Sequence, residues 1–195
     1  MDRHSSLNAK KVNFLSNYIS NPKERKRVII TLGVVVILFL IGFLCISYFY
    51  EQWLTENIRA YKGTFKEMGS IARIGFFVTL SIYPIFLLLK WKPFKKMTIG
   101  NFELKTLLQF IGKLVRQWHV PLAILSTGIV LLHGYMAILK GFKWNFTYFS
   151  GIITIFVLFF LMFMGLKRYK KKDKRWHFKI AIVFLILFML HATFA

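Results

Sequence analysis

Four of the five histidines in this sequence form two pairs with the same spacing. His119 precedes His133, and His177 precedes His191, by fourteen residues each, whereas His4 stands alone in a polar N-terminal stretch. At about 1.5 Å and 100° per residue, fourteen helical positions rise roughly 21 Å and return to within about 40° of the starting face. Two parallel helices would therefore present two facing imidazole pairs, roughly 21 Å apart.

Facing imidazoles at one depth of a helix bundle are suited to hold a haem iron from both sides. We expect His119 and His177 to bind the iron of one haem b, and His133 and His191 to bind the iron of a second. With both axial positions filled by protein, the iron has no open site for substrate. The histidines therefore predict electron transfer through two haems rather than chemistry at the metal.

The composition places the helices that carry these histidines in a membrane. Hydrophobic residues make up 56% of the chain, and five apolar stretches reach or approach the ~20 residues that a helix needs to cross a bilayer. These stretches are residues 28–50, 71–89, 119–139, 147–166 and 177–195. We expect an all-α integral membrane protein with five transmembrane helices. Residues 71–195, helices 2 to 5, should form the haem-binding bundle, with residues 28–50 as a helix outside it.

Positive charge predicts the orientation of these helices. The chain has 28 Lys and Arg against 7 Asp and Glu, and the basic residues concentrate in residues 1–27, 90–96 and 167–175. Since basic loops stay in the cytoplasm, we expect a multi-pass protein of the cell membrane with its N-terminus inside and its C-terminus outside. Residues 1–27 are too long and polar for a signal peptide and should remain as a cytoplasmic tail. The basic residues thus indicate a lipid bilayer as partner and not nucleic acid.

Other residues predict how the bundle is shaped. Leucines at helical spacing over about residues 101–117 indicate an amphipathic helix in the membrane interface. Pro121 falls in the first turn of predicted helix 3, where it is tolerated, and Pro84 predicts a kink in helix 2. Gly128 and Gly134 would let a flat macrocycle approach the backbone of helix 3.

Haem propionates need cations near the membrane surface. Arg116, Lys174 and Arg175 stand shortly before the inner histidines, and we expect Arg116 and Arg175 to contact the inner haem. For the outer haem the expected cation is Arg73, with Lys140 and Lys143 as further candidates.

The pattern His119-x13-His133 with His177-x13-His191 resembles the ferric reductase-like transmembrane domain, over roughly residues 71–195. That family includes ferric reductases, the membrane half of NADPH oxidases and the haem subunit of the methionine sulfoxide reductase system. The resemblance implies that the four histidines ligate two b haems, which pass electrons from the cytoplasmic to the outer side. Two-haem cytochromes b561 usually distribute their ligands over four helices and fit less well. The sequence has no Gly-x-Gly-x-x-Gly fingerprint, so we expect no nicotinamide or flavin domain.

We therefore expect an oxidoreductase subunit that works with separate partners. The donor would be a cytoplasmic reductase or a membrane quinol, and the acceptor external ferric iron, a flavoprotein or a reductase subunit. One alternative is a quinol-linked cytochrome b anchor of a respiratory reductase, and another is a haem-free transporter or structural membrane protein. Transporters usually place Asp or Glu within the membrane, and the five apolar stretches contain neither. Cys45, the one cysteine, predicts neither a disulfide nor a thiolate metal site.

Overall fold

The computed structural model describes residues 14–93, 97–99, 102–170 and 174–194. Parts of the three predicted basic segments, residues 1–13, 94–96 and 171–173, lie outside the described residues, as does the side chain of Lys174. The start of the predicted interfacial helix at residue 101 lies outside them too.

The described residues form six α-helices. They are α1 (Pro22–Thr55), α2 (Ile58–Leu80), α3 (Ile82–Lys90), α4 (Leu104–Leu139), α5 (Phe146–Tyr169) and α6 (Lys174–Phe194). A 3-10 turn (Phe14–Asn17) precedes α1, and a short antiparallel hairpin of β1 (Thr98–Ile99) and β2 (Phe102–Glu103), which the sequence did not predict, precedes α4. Because α2 and α3 continue one another, five helical stretches are long and apolar enough to cross a membrane. The prediction of a helical protein with five such stretches is confirmed.

Asparagine side chains begin three of the helices. Asn21 Oδ1 accepts from the Lys23 amide at 3.0 Å, Asn57 Oδ1 from the Ala60 amide at 3.1 Å, and Asn145 Oδ1 from the Tyr148 amide at 3.1 Å. Each carboxamide satisfies one of the amides that a helix leaves unpaired at its start. The starts of α1, α2 and α5 are thus set by single residues.

Proline interrupts the second spanning stretch. Pro84 has no N–H to donate to the Leu80 carbonyl, and the helix is broken at Ser81 between α2 and α3. The interruption lies three residues before Pro84, the residue at which the sequence predicted a kink. The last turn of α2 gains free carbonyls by this break, and the Thr79 carbonyl is used by a histidine, as described below.

The third spanning stretch differs from its prediction. Residues 104–139 form one continuous helix, so the segment predicted as a separate interfacial helix at about 101–117 is the first half of α4. Pro121 therefore lies inside a helix and not in its first turn. Its missing N–H leaves the Gln117 carbonyl without its helical donor, and Arg27 Nη1 of α1 donates to that carbonyl at 3.0 Å. A side chain from a neighbouring helix thus compensates for the proline.

Two groups of helices face each other. In one group α4 packs along α2, α3 and α1, and in the other α5 packs along α6, while α4 meets α5 only narrowly. Apolar side chains such as Leu44 and Phe156 are 64% and 71% exposed on the outer surface, as lipid-facing residues would be. The starts of α1, α4 and α6 and the ends of α3 and α5 lie at what we call the N-terminal end of the bundle.

Candidate functional site

The first histidine pair, His119 of α4 and His177 of α6, lies toward the N-terminal end of the bundle. His119 Nδ1 is 3.0 Å from the Thr79 carbonyl of α2 and must donate to it, since a carbonyl only accepts. Nε2 of His119 then keeps its lone pair for a metal. His177 is buried, with 6% of its surface exposed, and is close enough to His119 for their charges to interact. The two imidazoles predicted to face each other are brought together.

A cavity of about 360 Å³ lies between these two histidines. Its wall is mostly apolar, with Phe76 and Phe184 among its residues, and it also includes Tyr83 and Tyr169. Cofactor sites in proteins are typically cavities of about 300–1,000 Å³ with few polar groups. The first pair therefore borders a space of the size and polarity of a cofactor pocket.

Two buried polar atoms at this cavity lack hydrogen bonds. Among the described residues, Tyr83 Oη and His177 Nδ1 have no partner of good geometry, although the Leu161 carbonyl lies near His177. Buried polar groups are nearly always paired, and each exception calls for an explanation. A polar or metal-bearing group held in the cavity would supply one.

The second pair, His133 of α4 and His191 of α6, lies nearer the opposite end of the bundle. His133 Nδ1 is 3.0 Å from the Phe65 carbonyl, and its ring stacks on the Phe65 ring with centroids 4.1 Å apart. His191 Nδ1 is 3.2 Å from the Ser150 hydroxyl of α5. These two imidazoles also lie close enough for their charges to interact. The structure thus brings His133 near His191, as it brings His119 near His177.

A layer of phenylalanines separates the two pairs. Phe76 of α2 packs against Phe184 and Phe188 of α6 with ring centroids 5.1 and 5.7 Å apart, together with buried Ala72 and Leu158. These edge-to-face contacts join the two helix groups across the centre of the bundle. The layer divides the interior into two levels, one for each histidine pair.

Two imidazoles at each level are fewer than the three or four protein ligands of a typical zinc site. Among the described residues, no three His, Cys, Asp or Glu side chains come together to hold a metal. A haem brings four equatorial nitrogens of its own and needs only two axial ligands from the protein. The paired histidines, apolar walls and unpaired polar atoms at the first level fit a haem, and the histidine pair of the second level fits the same ligation.

The three arginines expected near propionates lie on the surface. Arg73, Arg116 and Arg175 are all exposed, and none donates a hydrogen bond to another described residue. A fourth cation, Arg168 in the last turn of α5, is near enough for its charge to act on His119, His177 and Tyr83. The sequence placed Arg168 only within the basic 167–175 run, where nothing marked it out from its neighbours.

Comparison with known proteins adds no relative. No family model, no curated protein and no solved structure matches the chain. The resemblance to the ferric reductase-like transmembrane domain therefore stays a prediction from the histidine pattern.

Gly128 and Gly134, which were predicted to let a macrocycle approach α4, face apolar side chains of other helices. A β-carbon on Gly128 would meet Val35 of α1 at 2.6 Å and one on Gly134 would meet Ile155 at 3.6 Å, so neither packs against a histidine. Three other glycines do. A β-carbon would lie 3.1 Å from His133 at Gly69, 3.0 Å from His191 at Gly151 and 3.7 Å from His177 at Gly165. The pattern within α4 could not show this, because the contacts come from α2 and α5.

The first level is also bordered by α1 and the turn before it, which were expected to lie outside the bundle. Leu15, Val28 and Leu32 line the cavity. Ile19, with 0% of its surface exposed, packs with Val28 among the residues beside it. Nothing in the polar sequence of the tail signals this role except its few apolar residues.

Proposed function

We propose that this protein transfers electrons across the membrane through two b haems, one at each histidine pair. The observation that carries the proposal is the hydrogen bonding of the imidazoles. His119, His133 and His191 each direct Nδ1 to an acceptor, which leaves Nε2 free for a metal ion. Such bonds commonly fix the tautomer and orientation of histidines that bind metals. Imidazoles that merely filled space in a bundle would not need this arrangement twice, at two matched levels.

The cavity supports the same proposal. It places about 360 Å³ of mostly apolar space between His119 and His177, where a macrocycle would have to lie. A bound haem supplies an iron that alternates between the ferric and ferrous states and so carries one electron at a time. Both axial positions would be taken by imidazoles, so an open site for oxygen or substrate is not expected. Electron transfer is therefore favoured over catalysis at the iron.

Charged and polar groups at the first level would hold the propionates. Arg168 and Tyr83 lie near His119 and His177, and the Tyr83 hydroxyl is buried with no hydrogen-bond acceptor among the described residues. Exposed Arg116 and Arg175 precede these histidines by three and two residues and would add positive charge at the surface. Arg73, the cation predicted for the second level, lies exposed within α2, between Gly69 beside His133 and Phe76 of the central layer. Positive charge near an iron favours the ferrous state, so these residues would raise the reduction potentials.

The direction of transfer follows from the predicted topology. With the N-terminus inside, the donor would reach the first level from the cytoplasm or the inner leaflet, as a separate reductase or a membrane quinol. The acceptor would meet the second level at the outer face, as ferric iron, a flavoprotein or a reductase subunit. An anchor for an external respiratory reductase would use the same two haems and differ only in these partners. A haem-free transporter or structural role would leave the matched imidazole pairs without an explanation.

The test is the haem content of the purified full-length protein, measured by reduced-minus-oxidised absorption spectra and haem-to-protein ratio. We expect two b haems per chain. His177→Ala should remove the first haem and His133→Ala the second, each variant retaining about one haem, since each level depends on its own pair.

His4→Ala is the matched control, because His4 is the one histidine outside both pairs and also lies outside the described residues. It should keep two haems. A colourless wild-type protein would end the proposal and favour the transporter or structural role. Retention of both haems by His177→Ala and His133→Ala would show that other residues bind them.

A further inference from the structure

The Ser150 hydroxyl has two partners that define its role. Ser150 lies near the start of α5, with 6% of its surface exposed. Its Oγ is 3.1 Å from the Thr147 carbonyl and 3.2 Å from His191 Nδ1. A hydroxyl has one hydrogen, and a carbonyl can only accept. Both contacts are satisfied together when Ser150 donates to Thr147 and accepts from His191, so Nδ1 of His191 carries the proton and Nε2 does not.

This contact differs in kind from those of the other histidines. Of the three hydrogen bonds to a histidine Nδ1 in the described part of the chain, the other two are made by the backbone carbonyls of Thr79 and Phe65. The Thr147 backbone carbonyl also lies near His191, but the hydrogen bond to its Nδ1 is made by the Ser150 side chain. His191 is therefore the imidazole whose hydrogen bond at Nδ1 a single substitution can remove.

We propose that Ser150 is the positioning residue for the outer haem, an inference that rests on the proposed function. Ser150 sets the tautomer of His191 and holds its ring, and by accepting a hydrogen bond from Nδ1–H it makes Nε2 a more basic ligand. A more basic imidazole stabilises ferric iron relative to ferrous iron. Ser150 thus lowers the reduction potential of the outer haem and leaves that of the inner haem unaffected, so the two haems differ in potential.

Thr154 gives a matched control on the same helix. Its buried hydroxyl donates to the Ser150 backbone carbonyl at 2.6 Å, one turn further along α5. Thr154→Val removes a buried hydroxyl of α5, as Ser150→Ala does, but leaves the acceptor of His191 in place. It should retain both haems with wild-type potentials.

The experiment compares wild type, Ser150→Ala, Ser150→Thr and Thr154→Val by haem-to-protein ratio and by redox titration of each haem. In Ser150→Ala the outer haem should bind roughly 10- to 100-fold more weakly, as is typical for loss of such a partner. Whatever outer haem remains should titrate at a higher potential, and the inner haem should be unchanged. Ser150→Thr keeps the hydroxyl and should restore both properties.

Ser150→Cys keeps the inference testable if the alanine variant does not accumulate. Its sulfur is a weaker acceptor of similar size, so the outer potential should again rise, with both haems bound. Unchanged outer potentials in Ser150→Ala or Ser150→Cys would overturn the role of Ser150 while leaving the two-haem proposal intact. A wild-type protein without haem would instead overturn the proposed function itself, before any variant is compared.

Discussion

Glycine at positions 69 and 151 leaves room for the two imidazoles of the second level. A β-carbon at either position would lie 3.0–3.1 Å from a ring carbon, a separation at which the histidine must move by a few tenths of an ångström. Metal ligands are productive only within about 0.5 Å of their required positions. The sequence predicts the four histidines by their spacing, but not these glycines, because a contact between helices leaves no period within either helix.

Gly151→Ala should therefore disturb the outer haem while the fold stays intact. Alanine favours a helix over glycine by about 1 kcal/mol, so the free energy of unfolding should not fall. We expect an altered electron paramagnetic resonance signal and partial loss of the outer haem, with the inner haem unchanged. Gly33→Ala is the control, since no atom lies within 4 Å of a β-carbon there. Equal spectra in the two variants would show that the close approach at Gly151 is unimportant.

At the scale of helices, the docking of α1 on α4 depends on a proline. Arg27 Nη1 donates to the Gln117 carbonyl that Pro121 leaves without a helical donor, and the guanidinium also lies 5.4 Å from the centre of the Trp118 ring. The sequence predicted that Pro121 lies in the first turn of a helix, where a missing N–H is tolerated. It could not show that a side chain ninety residues earlier replaces the missing donor, since that depends on how α1 packs.

A double-mutant cycle tests this replacement. Arg27→Ala should lower the free energy of unfolding in detergent by about 1 kcal/mol, a usual contribution for one hydrogen bond. In a Pro121→Ala background the alanine N–H can donate to the Gln117 carbonyl. Arg27→Ala should therefore lower the free energy of unfolding by less in that background. The contact with Trp118 is lost in both backgrounds and cancels. Arg25→Ala controls for charge, as its side chain donates no hydrogen bond to a described residue. Equal costs of Arg27→Ala in both backgrounds would disprove the coupling.

At the scale of the whole molecule, the sequence pattern predicts the helices and the spacing of the histidines, but it does not predict the contacts between helices. The apolar stretches gave five helices of spanning length, and the fourteen-residue spacing gave two matched levels of histidines. Three features could not be predicted because they depend on packing between helices. They are the layer around Phe76, the charge of Arg168 near the first pair and the burial of Ile19. Ile19 shows this best, because the few apolar residues near it, such as Leu15 and Tyr18, do not show that this part of the tail packs against the helices.

Residues 15–20, of which Ile19 is buried, lie against the first level at its N-terminal end. Leu15 lines the cavity and Ile19 is fully buried. Two contacts connect the end of α5 to this region. The Tyr169 hydroxyl donates to Glu24 Oε1 at 3.1 Å, and Lys170 Nζ lies 4.4 Å from the centre of the Tyr18 ring. If the inner haem occupies the cavity as proposed, this segment separates one side of it from water. Electrons from a soluble donor would then enter by another route or after the segment opens.

Ile19→Ala should open that side. The substitution removes burial worth about 2–5 kcal/mol, and each 1.4 kcal/mol raises the open population tenfold, so opening should increase by ~10-fold or more. Residues 14–21 should become more accessible to protease, and a soluble reductant should reduce the inner haem faster without affecting the outer haem. Ser20→Ala, at an exposed position beside Ile19, should change neither rate. Faster proteolysis with an unchanged rate of haem reduction would mean that the segment stabilises α1 but does not shield the inner haem.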